Sequence, residues 1–176
     1  MTARIKIMKT RKEIRLKNYD YSKEGIYYVT ICSYQRKNTF CKIDDRIFDI
    51  EFNDTDFDKY IEYTIIGRHI DKGIQNINEL YTNVSVLNYI IMPNHIHILI
   101  EFDDKPLNKK GKQVNLFKII SSFKQFVTKT VNSDTTNIWQ KSYYEHIVRN
   151  EKEFDIINEY IIYNPLKWRL DEYYNM

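Results

Sequence analysis

The chain is short of cysteine, proline and glycine, and each scarcity removes a class of architecture. Its two cysteines, Cys32 and Cys41, stand nine positions apart with no Cys-x-x-Cys and no Cys/His pairing nearby. A disulfide scaffold and a zinc finger are both excluded, and a reducing cytoplasm is the expected compartment. Four glycines and three prolines in 176 residues argue against collagen, flexible linkers and a many-turned β-sandwich. Apolar runs extend only a few residues, so no membrane-spanning helix is expected. The first thirty residues are too charged to hold a signal-peptide apolar region.

What remains is a globular composition, 43% hydrophobic and 29% charged, of a size that suits one domain. The net charge of +3 says little, but its distribution is uneven. Residues 1–18 carry seven Lys/Arg against Glu13, and residues 105–130 carry seven Lys and no acid. Between them, residues 44–59 hold seven acids against Arg46 and Lys59. Separated basic and acidic blocks suggest a polyanion-binding face, although basic tails and solvated helix faces give the same pattern. Fifteen tyrosines and nine phenylalanines supply surface on which single-stranded bases could stack, or simply a core.

Hydrophobic periodicity gives the order strand, helix, hairpin, helix, strand, helix. Residues 26–34 (IYYVTICSY) read as a buried strand. Residues 55–75 place Phe57, Ile61, Thr64/Ile65 and Arg68/His69 at helical spacing, with Gly67 and Gly73 against it. Val84–Met92 and HIHILIEF (95–102) are predicted as a hairpin turning at Pro93-Asn94. Residues 114–131 form an amphipathic helix with Leu116, Ile120, Phe123, Val127 and Val131 on one stripe. Residues 138–149 read as a last strand with its approach loop. Asn150 followed by Glu153 marks a helix start, and that helix runs to Asn164, before Pro165. The expected fold class is α+β, one antiparallel sheet with helices packed on it and the hairpin strands at its centre. The expected division is a basic N-terminal arm over 1–24, a single domain over 25–170 and a short tail over 171–176.

His95 and His97 lie in the most apolar strand. Side chains alternate along a strand, so both imidazoles share one face, about 7 Å apart along the backbone, while Ile96, Ile98 and Ile100 fill the other. Such a pair can chelate one divalent cation, or it can be two partly buried histidines with ordinary hydrogen bonds. In the last helix Tyr160 and Asn164 are four apart and stack on one face, beside the apolar Ile157 and Ile161. They can face the histidines, or be a boundary aromatic and a C-terminal cap. If the pieces meet, a His-His-Asn site could hold Mg²⁺ or Mn²⁺ on a scissile phosphate. Only about one phenol in a thousand is ionised at pH 7, so Tyr160 becomes a nucleophile only against a polarised electrophile. Attack would yield a phosphotyrosyl intermediate and a free 3′-hydroxyl, which conserves bond energy for rejoining.

The blocks MPNHIHILIEF (92–102), IWQKSYYEHIVRNEKE (138–153) and YIIYNPLKW (160–168) together resemble the REP-associated tyrosine transposases. These are single-tyrosine HUH enzymes related to the insertion-sequence 200/605 transposases. The stretches IRLKNYDYSKEGIYYVTICSYQRKNTF (14–40) and SFKQFVTK (122–129) are similar as well. The resemblance implies a ferredoxin-like antiparallel sheet, with His95 and His97 as the histidine pair, Tyr160 as the catalytic tyrosine and Asn164 as third metal ligand. It implies Mg²⁺ or Mn²⁺ as cofactor and single-stranded hairpin DNA as partner, cleaved to a 5′-phosphotyrosine. It leaves monomer and homodimer both open. Its WQ block maps onto Trp139, Gln140, Glu145, His146 and Arg149. Lys124, Arg149, Trp139 and Gln140 are the expected DNA contacts, with core packing the alternative for Trp139. Two other readings stay open: a relaxase- or replication-initiator-like HUH nickase, and an idle DNA-binding module.

Overall fold

The computed structural model describes Leu16, residues 18–49, 57–131 and 137–171, and Tyr174. The basic run ahead of Leu16 and the middle of the acidic block lie outside these residues.

Among the described residues, six strands and three α-helices follow one another as β1 (Gly25–Cys32), β2 (Cys41–Ile43), β3 (Ile61–Tyr63), α1 (Ile65–Leu80), β4 (Tyr81–Ile91), β5 (His95–Asn108), α2 (Leu116–Thr130), β6 (Tyr144–Val148) and α3 (Glu151–Tyr163). The main sheet has the order β4-β5-β1-β6 with every pairing antiparallel. With β2 and β3 set aside as a separate two-stranded sheet, this is the β-α-β-β-α-β arrangement of the ferredoxin-like fold. One expectation needs correcting. Only β5 of the hairpin is central; β4 is an edge, because β1 inserts between β5 and β6.

Alternation along β5 sorts the molecule into two faces. Ile96, Ile98 and Ile100, with Tyr27, Val29 and Ile31 of β1, pack against Ile70, Ile74 and Ile77 of α1 and Ile119, Ile120, Phe123 and Val127 of α2. On the other face Leu99, Ile90 and Met92 meet Ile161 of α3 and Trp168, in the 3₁₀ turn Pro165–Leu170 that follows it. Residues ahead of β1 join the first core. Tyr21 is buried there and its carbonyl accepts from the Leu116 amide at 2.9 Å.

The helix expected over 55–75 is shifted along the chain. Asp58–Tyr60 is a 3₁₀ turn leading into β3, and α1 starts only after Thr64, whose hydroxyl accepts from the Gly67 amide at 3.1 Å. Gly67, which weakens the helix on propensity, is required by packing. A Cβ there would stand 2.1 Å from the Phe40 carbonyl oxygen, a backbone atom fixed by the Thr64 amide at 3.0 Å. Gly67→Ala is therefore expected to destabilise the domain by about 2 kcal/mol or more despite alanine's better helix propensity. A urea titration of both proteins checks this, and an unchanged midpoint would show that Phe40 can move aside.

Candidate active site

The second face of the sheet carries both histidines of β5. His97 is buried, and its Nδ1 lies 2.7 Å from the Tyr28 hydroxyl and 2.9 Å from Thr30 Oγ1. Both hydroxyls come from β1, which pairs with β5 so that Thr30 stands opposite His97. Its Nε2 is buried without a hydrogen-bond partner. With Nδ1 held by hydroxyls that can accept its proton, Nε2 is the nitrogen left to offer a lone pair.

His95 is oriented by its neighbour. Its Nδ1 lies 2.9 Å from Asn94 Oδ1. The Asn94 amide cannot turn freely, since its Nδ2 donates to the Arg36 carbonyl at 3.2 Å. The oxygen of that amide therefore faces His95, Nδ1 carries the hydrogen, and Nε2 is basic. The Pro93-Asn94 turn is itself pinned: Phe40 N donates to Pro93 O at 2.9 Å and Ser33 N to Asn94 O at 2.8 Å. Both imidazoles stay neutral. Burial pushes His95 down to about 3, helped by Arg36, and burial followed by His95 pushes His97 well below its ordinary value. The two rings sit 4.6 Å apart between centroids.

Helix α3 places its residues over this pair. Asn150 caps its start, accepting from the Glu153 amide at 2.9 Å, and Ile161 anchors it in the second core. Tyr160 lies in the last turn of α3, Asn164 is its C-cap and Trp168 sits in the 3₁₀ turn that follows. The Tyr160 ring is 5.2 Å from His97 and the Trp168 ring 6.1 Å from His95, with Asn164 between them in sequence. Tyr160 is 37% exposed, whereas Asn164 is 1% exposed with neither amide atom hydrogen-bonded. An amide buried in that state costs about 1–3 kcal/mol unless something supplies a partner. Two neutral imidazole nitrogens and an amide oxygen are a donor set that can hold a divalent cation and leave positions for phosphate oxygens. Among the described residues no three His, Cys, Asp or Glu gather.

Three further tyrosines from the blocks that carry the resemblance, Tyr163, Tyr143 and Tyr144, sort by face. Tyr163 turns away to Phe57, 5.9 Å between rings. Tyr143 packs in the first core beside Phe117. Tyr144 is 46% exposed and shares the histidine face, 6.4 Å from Tyr28. The four residues expected at DNA are not gathered in one place. Trp139 lies against Phe40 and Phe123 at 5.3 and 5.6 Å and donates its indole N–H to the Lys124 carbonyl at 3.2 Å. Lys124 Nζ donates to the Gln140 carbonyl at 2.8 Å, and Gln140 N to Cys32 O at 2.9 Å, so this trio sits where β1 ends, opposite His95. Burial lowers Lys124 to about 8. Arg149 follows β6 at the other end of the sheet, about 20 Å along the strands. Its amide donates to Glu153 Oε2 at 2.7 Å while His146 Nε2 lies 2.7 Å from Oε1, and these contacts hold the Glu153 carboxyl below its usual range.

Sequence reasoning missed Tyr28, Thr30, Asn94 and Trp168. Tyr28 and Thr30 alternate along a strand but their register against His97 is not written locally. Asn94 reads as turn chemistry, and its place next to His95 is the signal that was available.

A sequence model of the family described as IS200-like transposases matches residues 58–164. An uncharacterised protein of Haemophilus influenzae is 32% identical over 180 aligned residues, covering 93% of each chain. A second protein of that organism, named provisionally as a REP-associated tyrosine transposase, is 28% identical over 85 residues, spanning 44% of this chain and 47% of its own. Among solved structures, a REP-associated tyrosine transposase bound to a REP hairpin superposes with a TM-score of 0.54, covering 87% of this chain and 73% of that one at 18% identity, a likeness of fold. With the family match spanning more than half of the sequence and ending on Asn164, the chain belongs to the IS200-like transposase family.

Proposed function

We propose that the protein is a metal-dependent DNA strand transferase that cleaves single-stranded hairpin DNA with Tyr160 as nucleophile. The observation that supports this most is the row on α3: a half-exposed phenol against His97, followed one turn later by a buried amide whose atoms have no partner. His95, His97 and Asn164 would hold Mg²⁺ or Mn²⁺, which when bound polarises a phosphate and neutralises its charge.

The chain's own residues do the rest. Asn94, and the Tyr28 and Thr30 hydroxyls, keep the imidazole Nε2 atoms basic and aimed. Tyr160 Oη attacks phosphorus and the bond from phosphorus to the 3′ oxygen breaks. The phenol loses a proton and the departing 3′ oxygen gains one, leaving a 5′-phosphotyrosine. A later 3′-hydroxyl can reverse the step, so the product is transfer rather than hydrolysis. The Tyr160 and His97 rings of one chain stand 5.2 Å apart, which supports attack by the tyrosine within its own chain. The hairpin partner rests on the fold likeness to a transposase bound to one, together with the cationic Lys124 beside the His95 end of the sheet.

The test is a covalent-adduct assay on single-stranded hairpins from the ends of the gene's own neighbourhood, read on a denaturing gel. An adduct is expected with Mn²⁺ on the hairpin, none with EDTA, and none on the same sequence as a perfect duplex. An adduct that persists in EDTA would remove the metal from the reaction.

A further inference from the structure

The registers of the main sheet place Tyr144 opposite Thr30, and Thr30 opposite His97. Residues opposite one another in an antiparallel pair point to the same face, so the three side chains make one rung across β6, β1 and β5. Two strand spacings separate its ends, which sets Tyr144 about 10 Å from His97. The middle of the rung is small and buried, with the Thr30 hydroxyl 2.9 Å from His97 Nδ1, and its ends are rings. Tyr28, on the same face of β1, stacks on His97 at 5.4 Å and 23° and stands edge-on to Tyr144 at 6.4 Å and 72°. Helix α3 leaves the Tyr144 end of this rung uncovered. It meets β6 at His146, whose Nε2 lies 2.7 Å from Glu153 Oε1, and by Tyr160 it has crossed to His97. Beyond β6 the sheet has no further strand among the described residues. Tyr144 is accordingly 46% exposed where Thr30 is 6%.

A large ring left in water on the same face as the reacting groups has π-surface to offer a flat partner. Every nucleobase has such a face, and stacking one base on an aromatic side chain is worth roughly tenfold or more in affinity. A base inside a duplex stem is already stacked between its neighbours and cannot use the ring, whereas an unpaired base can. We propose that Tyr144 is a base-stacking site, on whose ring lies an unpaired base beside the phosphate that Tyr160 attacks. This rests on the tyrosine reading given above. The rung supplies the geometry: the phosphate at its His97 end, the base at its Tyr144 end and the low Thr30 side chain between. Stacking reads little sequence, so Tyr144 distinguishes an unpaired flank from a stem rather than one base from another. Only the ring is needed, and the hydroxyl has no part.

The test is run in EDTA, so that no reaction is required. Wild type, Tyr144→Phe and Tyr144→Val bind two DNAs: the hairpins of the adduct assay with unpaired flanks, and the same stems trimmed flush. Valine keeps strand propensity at an exposed edge position, and thermal melts confirm that all three chains are folded. Tyr144→Val should lose roughly tenfold in affinity for the flanked hairpin and nothing for the trimmed stem, with Tyr144→Phe like wild type. A 2-aminopurine placed in turn at each unpaired position should be quenched at one of them in wild type and Tyr144→Phe, and stay bright in Tyr144→Val. If Tyr144→Val melts early, 5-iodouracil at the quenched position decides with wild type alone, by photocrosslinking to Tyr144 or to another residue. Equal affinity of wild type and folded Tyr144→Val for the flanked hairpin overturns the proposal. So does an equal loss in Tyr144→Phe and Tyr144→Val, which would make the contact a hydrogen bond of the hydroxyl. Mn²⁺ then locates the adduct on the same strands. An adduct at the phosphate next to the quenched base supports the proposal, and one elsewhere overturns it. Quenching that depends on Tyr144 with no adduct on any hairpin would overturn the tyrosine reading and the adjacency with it. An adduct without any dependence of binding on Tyr144 overturns the stacking alone.

Discussion

Tyr160→Phe should abolish the covalent protein–DNA adduct while leaving the fold and hairpin binding in place. Phenylalanine keeps the ring that packs edge-on to His97 and removes one oxygen, so the helix has no reason to shift. What is lost is the nucleophile itself, and removal of such a group from an intact site costs at least about a thousandfold in rate. Two controls give the result its meaning. Tyr163→Phe should be near wild type, because Tyr163 faces Phe57 and not the histidines. Tyr144→Phe is the sharper control, since Tyr144 is exposed on the histidine face. An adduct that survives Tyr160→Phe and vanishes in Tyr144→Phe would move the nucleophile from α3 to β6. Hairpin affinity measured in the same proteins separates a lost reaction from a lost substrate.

The strand carrying the histidines is legible because isoleucines recur at every second position from Ile96 to Ile100, with His95, His97 and Glu101 on the alternate positions and Leu99 the one apolar exception among them. Helix α3 was legible for a similar reason: Asn150, Glu153 and Pro165 bracket it with local chemistry. What the sequence hid is non-local. Nothing near Tyr28 or Thr30 says that β1 will pair with β5, and that pairing is what supplies the hydroxyls around His97 and pushes β4 to the edge. The three-residue strands β2 and β3 are too short to show a period, so Phe57 and Ile61 were drawn into a helix that starts later. Gly67 misled in the opposite sense, since propensity argues against it and the Phe40 carbonyl demands it. Trp139 is legible as an aromatic but not as one set between Phe40 and Phe123, because α2 and the loop after β1 meet only in the folded chain.

Asn164→Leu should make the metal-free protein more stable and the metal-loaded protein less so. In wild type the buried amide has no partner for either polar atom. Leucine has the same branched heavy-atom skeleton without the polar atoms, so in EDTA the variant should gain about 1–2 kcal/mol, read as a higher urea midpoint. Mn²⁺ should reverse the order. A ligand bound only by the folded state stabilises by about 2.7 kcal/mol at a hundred times its dissociation constant, and the variant, reduced to two imidazoles, should receive little of this. Asn164→Asp provides the opposite sign. A carboxylate in that buried place should weaken the protein in EDTA and increase the gain from Mn²⁺. The crossing of these stabilities separates a ligand from a helix cap, which metal would not affect. If Asn164→Leu loses stability in EDTA and still gains from Mn²⁺ as wild type does, the amide is structural and the third donor must be sought elsewhere. If the orders cross, the energetic cost of leaving Asn164 unpartnered is the signature of a site selected to bind and not to fold.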